Sequence, residues 1–368
     1  MDRHNSLWLR ELCNPLQATR EALQLLRVPR NLRAAYIGWL GHGNLGDEAI
    51  FQAIVPELDP VRLRLFSGMT KERILRCVFG SNALFRCGIL GGGTLILGGY
   101  AGHLEPILDR GLPCYVFGTG VLDPDELKAN GEIVDVERWL RVLRKLGKIH
   151  VRGPRSSRIL RNLGLFNVDV CGDPALLHGL EVLPSKSERQ ILGINVFYPK
   201  QHYSSSNTVI KKALFESAQW ALRKGWKLKL FSASAEDLKA TIQFAAELNL
   251  GAESIFPVYD DARRFLKEVG DCRLFIGVRL HSVILSHCAY VPSIMLAYQA
   301  KCMDYMESVG MEKYAICTHD VKINGIGTLL DNTQINHEQI RSELFETIHE
   351  LKIRLKQIAK EILKAQIG

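Results

Sequence analysis

Along the chain, short apolar runs alternate with longer segments of helical period. Ala34–Leu40 is apolar and ends at Gly41, which predicts a buried strand followed by a glycine-rich turn. Asp47–Val55 sets Ile50 and Ile54 one helical turn apart before Pro56, which predicts a helix. The alternation continues with strands at Val61–Phe66, Cys87–Leu90, Cys114–Thr119, Ile149–Arg152 and Val168–Val170. Between them, helices are expected at Lys71–Val78, Gly102–Arg110, Glu132–Leu146 and Ser156–Leu163. Ahead of this series, residues 1–32 carry a polar–apolar pattern (Leu7, Leu9, Leu12, Leu16, then Leu23, Leu25, Leu26) that reads as a helical extension.

Polar Glu181–Gln190, with Pro184 and two serines, reads as a linker. A second series follows, with strands at Ile191–Phe197, Lys227–Phe231, Ile255–Val258, Leu274–Gly277 and Ser293–Ala297. Its helices are expected at Val209–Lys224, Ala235–Leu248, Ala262–Val269 and His281–Ala289. The tail, Asn336–Ala365, spaces Ile340, Leu344, Ile348, Leu351, Leu355, Ile358 and Ile362 by three and four, the stripe of a long helix packed on the body. Strands alternating with helices imply parallel sheets covered on both faces. The expected fold is α/β: two Rossmann-like domains facing across a cleft, glycosyltransferase-B-like, with a long C-terminal helix. The expected division is 1–32 (extension), 33–180 (first domain), 190–335 (second, donor-binding domain) and 336–368 (terminal helix). In open parallel sheets ligands sit at the carboxyl ends of the strands, so those ends should face one another across the cleft.

Composition narrows the function. At 368 residues two cores are affordable. The start lacks an apolar leader core, and the two uncharged runs, Cys87–Leu104 and Leu280–Ala300, are broken by glycines or by His and Pro. A cytoplasmic chain without a membrane span is expected. Nine cysteines form no Cys-x-x-Cys pair and no zinc spacing, so free buried thiols and no metal are expected. The net charge of +8 is spread out, with no nucleic-acid-binding signature. It suits an anionic small substrate, a lipid-linked one, or peripheral contact with the inner, anionic face of a membrane.

The turns hold the candidate chemistry. Gly41-His42-Gly43-Asn44-Leu45-Gly46-Asp47-Glu48 follows the first strand and opens a helix, a geometry in which ligands meet backbone N–H groups; Asp47 there could equally cap the helix. It lacks the Gly-Lys-Ser/Thr of a P-loop. Gly91-Gly92-Gly93-Thr94 is a second close-approach turn. Arg152 ends a strand on the cleft side, where its planar fork suits phosphate or carboxylate, and Arg155 is a neighbouring candidate. Gly277-Val278-Arg279-Leu280-His281-Ser282 stops a strand and starts a helix, and Lys301 follows the next strand, so a neighbouring βα unit should bring it to the same rim. Cations beside a titratable imidazole make a site for a phosphate ester with proton transfer.

Together, "GHGNLGDEAI" (41–50), "GGGT" (91–94), "VRGPRSSRILRNLG" (151–164) with "GDPALL" (172–177), and "GVRLHSVI" (277–284) followed by "VPSIMLAYQAK" (291–301) resemble the polysaccharide pyruvyl transferase family. The resemblance implies a glycosyltransferase-B-like fold. It also implies transfer of the carbon unit of phosphoenolpyruvate to a sugar of a polysaccharide or lipid-linked glycan precursor for the cell envelope. A pyruvate ketal forms and phosphate leaves. No cofactor is implied, only phosphoenolpyruvate as donor. On that resemblance His281 is the catalytic group, Arg152, Arg279 and Lys301 bind the donor, and Gly43, Asn44, Asp47, Gly92 and Gly93 form a substrate loop. Two departures stand out: Gly153 where relatives often carry an acid, and Gln299-Ala300 where they often carry Asp-Pro. The competing expectations are a nucleotide-sugar glycosyltransferase, which would want a ribose-binding carboxylate such as Glu268 or Asp271, and a non-catalytic scaffold using the terminal helix.

Overall fold

The computed structural model describes residues 27–65, 85–185, 188–199, 204–318 and 325–367. The expected helix at Lys71–Val78, and the extension before residue 27, lie outside the described residues.

The first lobe contains strands β1 (Arg33–Ile37), β2 (Arg62–Leu65), β3 (Cys87–Leu90), β4 (Thr94–Ile96), β5 (Cys114–Val121), β6 (Ile149–Val151) and β7 (Val168–Val170). Helices α1 (Leu45–Glu57), α2 (Ala101–Leu108), α3 (Pro124–Ala129), α4 (Val136–Leu143) and α5 (Pro154–Asn162) alternate with them. The strands are ordered β2-β1-β3-β5-β6-β7, with β4 beside β5, and every pair is parallel. All five residues of β1 are buried, as a strand covered on both faces requires.

The second lobe repeats the scheme with β8 (Ile191–Asn195), β9 (Lys227–Ser232), β10 (Ile255–Pro257), β11 (Leu274–Gly277), β12 (Ser293–Ala297) and β13 (Ala315–Cys317). Its order is β10-β9-β8-β11-β12-β13, again parallel throughout. Helices α6 (Ser204–Arg223), α7 (Leu238–Glu247), α8 (Ala262–Gly270), α9 (Leu280–Cys288), α10 (Ala300–Ser308) and α11 (Ile326–Ile335) complete it. The carboxyl ends of both sheets meet at one cleft, because the turns after β1, β3, β6, β11 and β12 all contribute to its lining.

The terminal helix α12 (His337–Ile367) buries Ile340, Leu344, Ile348, Leu355, Ile358 and Ile362. It starts on the second lobe, where His337 Nε2 lies 2.9 Å from the Arg273 carbonyl. It then crosses to the first lobe. Lys352 donates to Glu181 Oε1 at 2.9 Å and Gln366 Nε2 to the Tyr115 hydroxyl at 2.9 Å. The helix therefore straps the two lobes together.

Three local expectations are corrected. The segment expected as one helix over Glu132–Leu146 begins only at Val136, because the Asp135 side chain accepts from Arg138 N at 2.8 Å and caps it there. Ala235–Leu248 splits into a 3-10 turn at Ala235–Asp237 and α7. Beyond Ala297 the chain still holds α10, β13 and α11, which the apolar pattern did not separate. In α10 the buried face includes Asp304, a polar residue that hides the helical stripe.

Among the described residues, seven cysteines are free and no group of His, Cys, Asp and Glu could hold a metal ion. No described helix is long and apolar enough to cross a membrane.

Candidate active site

The turn after β1 sets one edge of the cleft. The Asn44 side chain accepts from Gly46 N at 3.2 Å and starts α1, while its Nδ2 donates to Asp47 Oδ2 at 2.6 Å. The turn also reaches the other lobe: Leu45 N donates to the Ala233 carbonyl at 3.0 Å, and Asn44 bridges Ser234. Asp47 is thereby held half-buried facing the cleft, and its carboxyl pKa rises from 3.8 to about 6. Burial is the cause; His281 and Lys301 pull the other way without overcoming it.

His281 stands in the first turn of α9, opposite this loop. A Cβ on Gly46 would come 2.1 Å from His281 Nδ1, so only glycine leaves room for the imidazole. The other ring nitrogen, Nε2, faces Asp173 Oδ2 at 3.5 Å. Asp173 sits after β7, fully buried, and also lies 3.7 Å from Arg152 Nη1. Burial alone would raise the Asp173 pKa, but His281 and then Arg152 outweigh it and hold the carboxyl below its usual range. One buried carboxylate thus links the imidazole to the guanidinium.

Arg152 itself has no solvent exposure. Its Nη2 donates to Thr94 Oγ1 at 3.1 Å, and Nε lies 3.6 Å from Asp304 Oδ2. Its Nε and Nη1 have no hydrogen-bond partner, nor do Asp173 Oδ2 and His281 Nε2. Four buried polar atoms left unmatched in one place call for a ligand or ordered water to complete them. Asp304 comes from α10 of the second lobe and accepts from Ser156 N at 3.0 Å and Ser156 Oγ at 2.7 Å. This docking explains both sequence departures. A Cβ at Gly153 would come 2.2 Å from the Asp304 carbonyl. Ala300 N donates to Glu126 Oε1 of the first lobe at 2.6 Å, a bond that proline could not make.

The cleft encloses about 240 Å³, and Arg152, Arg279, His281, Lys301, Asn44, Asp47 and Gly93 all line it. The cations differ in what already occupies them. Arg279 holds Asp237 through two hydrogen bonds and lies 4.0 Å from the Phe197 ring centroid. Lys301 forms no ion pair among the described residues; its ammonium lies 5.1 Å from the Tyr298 ring centroid and donates a hydrogen bond to the Tyr298 side chain. Lys301 is therefore the cation whose charge is most open to an incoming anion.

Three expected residues lie elsewhere. Gly92 is not at the cleft surface; a Cβ there would run into Ile50 and Pro174, so its role is packing. Gly43, half-buried, does not line the cleft; it sits at φ 64° with its carbonyl accepting from Ala235 N at 3.3 Å. Arg155 turns to Glu307 at 2.8 Å, an ion pair between α5 and α10 outside the cleft. Glu268 and Asp271 each hold Lys229 at 3.0 Å, which occupies the two carboxylates considered for a ribose. Sequence reasoning missed Asp304, Asp237, Trp39 and Tyr100, and gave Asp173 no role. Asp173 carried a signal, the Gly172-Asp173-Pro174 break at a strand end; Asp304, inside a helix, carried none.

Comparison with known proteins gives the site a context. A family model described as polysaccharide pyruvyl transferase matches residues 44–300. The amylovoran biosynthesis protein AmsJ of Erwinia amylovora is 26% identical over 94 residues, which are 26% of this chain and 23% of that protein. Among solved structures, the UDP-GlcNAc 2-epimerase of Neisseria meningitidis bound to UDP-GlcNAc shares 10% identity at a TM-score of 0.56, covering 90% of this chain and 99% of that one. HepE of Anabaena in complex with UDP-glucose shares 12% identity at a TM-score of 0.54, with the same coverage of 90% and 99%. At these identities the likeness is one of fold, and that fold is glycosyltransferase-B-like.

Proposed function

We propose that this chain, which belongs to the polysaccharide pyruvyl transferase family, moves the pyruvyl unit of phosphoenolpyruvate onto a sugar and releases phosphate. The observation that carries this reading is the convergence of a lysine with no ion pair among the described residues, a buried arginine with unmatched N–H groups and an imidazole on one cleft of about 240 Å³. Such a set suits a small molecule with both a carboxylate and a phosphate.

The chemistry follows from the residues. Lys301 and Arg152 hold the anionic ends of the donor, with Arg279 assisting where Asp237 leaves its fork open. His281, kept in line by Asp173, gives a proton to the methylene carbon. A sugar hydroxyl bonds to the adjacent carbon as positive charge develops there, and Asp47 takes the hydroxyl proton. The carbon–oxygen bond to phosphate breaks, and a second hydroxyl closes the ketal on the same carbon. Of the two hydroxyl protons, one replaces that spent from His281 and the other leaves with phosphate. The test is phosphate release from phosphoenolpyruvate across a panel of glycans and lipid-linked oligosaccharides, with nucleotide sugars as the competing donors. Acceptor-dependent release of phosphate from phosphoenolpyruvate is the expected result; release of nucleotide from a nucleotide sugar instead would replace this reading with glycosyl transfer.

Two predictions arise from the loop. Folded Asp47 keeps its proton up to about pH 6, whereas the unfolded side chain releases it near 3.8. The folded state therefore binds more protons between those values, so stability falls as pH rises through that window and is level above it. At about 1.4 kcal/mol per pH unit the cost at neutral pH is about 3 kcal/mol. Asp47→Asn should raise the denaturation midpoint at pH 7 and leave it unchanged below pH 4, while erasing the limb near pH 6 in the kcat/KM profile. A midpoint gain of equal size at both pH values would show that the carboxylate is not strained by burial. Gly46→Ala should displace His281 and cut kcat by about 100-fold. Circular dichroism checks that the fold survives, and Gly46→Ala turning over at the wild-type rate would mean that the imidazole does not act from this position.

A further inference from the structure

The cleft has two unlike walls. The cations Arg152, Arg279 and Lys301 and the His281 imidazole line one part of it, whereas the first lobe, besides Asn44 and Asp47, supplies Trp39, Leu95, Tyr100 and Leu122. Trp39 is 43% exposed, in contrast to Trp139, Trp220 and Trp226, which are 2%, 5% and 5% exposed. One face of its indole is already covered: the His42 ring stacks on it with centroids 3.7 Å apart and planes at 7°. That leaves a single flat apolar face, held from behind, at the mouth of a polar cleft. An indole half out of the core, braced on one face and lining a ligand cleft, offers its other face as a stacking surface. The C–H face of a pyranose ring matches it in size and flatness, while the ring hydroxyls remain free for Asp47 and solvent.

We infer that Trp39 is the platform of the acceptor subsite, on which a hexopyranose ring stacks with two of its hydroxyls turned toward the donor cations. This rests on the pyruvyl-transfer reading for the orientation of the ring, but not for its binding. His42 fixes the platform, and Tyr100 flanks it along the same wall. The subsite also divides the labour along the cleft: the Trp39 wall selects the sugar, while Arg152 of the first lobe and the cations of the second grip the anion.

Tryptophan fluorescence tests this in a Trp8→Phe background, where Trp39 is the remaining tryptophan that is not buried among the described residues. Methyl hexopyranosides titrated without phosphoenolpyruvate should quench emission saturably. Trp39→Ala should abolish the quench and, where turnover is measured, raise the acceptor KM about tenfold, the loss expected for one ring-stacking contact. Its KM for phosphoenolpyruvate should stay put, and Trp39→Phe should recover most of the acceptor affinity. Unchanged sugar affinity in Trp39→Ala, or an equal rise in KM for both substrates, overturns the subsite. So does quenching by uridine monophosphate that the sugars cannot displace, since the platform would then carry a nucleobase. Sugar quenching in a protein that never releases phosphate from phosphoenolpyruvate would keep the subsite and remove the pyruvyl-transfer reading, so the two failures are distinct.

Discussion

Arg152→Leu is expected to remove activity and also to destabilise the fold by about 3–5 kcal/mol, the cost of leaving a buried charge uncompensated. The side chain has no solvent exposure and stands between Asp173 at 3.7 Å and Asp304 at 3.6 Å. Leucine fills the space but leaves both carboxylates buried without their cation. A second change, Asp304→Asn, lowers the buried negative charge and keeps an oxygen for Ser156, so it should restore part of the stability and none of the activity. Arg152→Lys separates the roles further: it keeps one charge, loses the fork, and should fold while losing about 10²–10³-fold in kcat, the usual cost of a charge-stabilising donor. Guanidinium denaturation and phosphate release read the two effects. A fully stable, active Arg152→Leu protein would mean that the arginine neither balances the carboxylates nor meets the donor.

His281→Ala is the second large effect, expected at about 10²–10⁴-fold in kcat, the range for a positioned proton-transfer group. Here stability should change little. The side chain is 14% exposed, and Asp173 retains both Arg152 and the backbone N–H of Ala175, at 2.9 Å. The loss should fall on kcat, with binding of phosphoenolpyruvate still measurable, because charge is supplied by Lys301 and Arg152. Loss of binding with an unaltered rate at saturation would make His281 a donor-binding residue and move the proton-transfer role to Asp47.

The alternation of apolar strands and amphipathic helices was legible because parallel strands buried on both faces are uniformly apolar and glycine-bounded. Cys87–Leu90 and Ser293–Ala297 fall where the pattern puts them. Likewise, Arg152, His281 and Lys301 declared themselves as polar residues at strand ends, a place where charge needs a reason. What stayed hidden depends on contacts between residues far apart in sequence. Asp304 lies inside a helix, and its meaning comes from the Ser156 N–H that it reaches across the lobe boundary. The pairing of Arg279 with Asp237, 42 positions apart in sequence, is equally silent in one dimension. Gly92 and Gly93 look alike in sequence, yet a Cβ on the first would run into Ile50 at 2.8 Å, whereas one on the second would stand 3.4 Å from Asp47 Oδ1. Glycine shows only that something approaches closely, and cannot name what.

The most direct measurement is equilibrium titration of phosphoenolpyruvate, by calorimetry, into the wild-type chain and into Lys301→Gln. Lys301 is the open cation of the cleft, it forms no ion pair among the described residues, and Asp47, on whose carboxyl it acts, keeps His281 beside it when Lys301 is replaced. We expect saturable binding to the wild type, weakened at least about tenfold in the variant, with inorganic phosphate competing. Absence of binding to the wild type, or equal affinity in both proteins, would contradict the claim that these cations gather on one three-carbon phosphate ester.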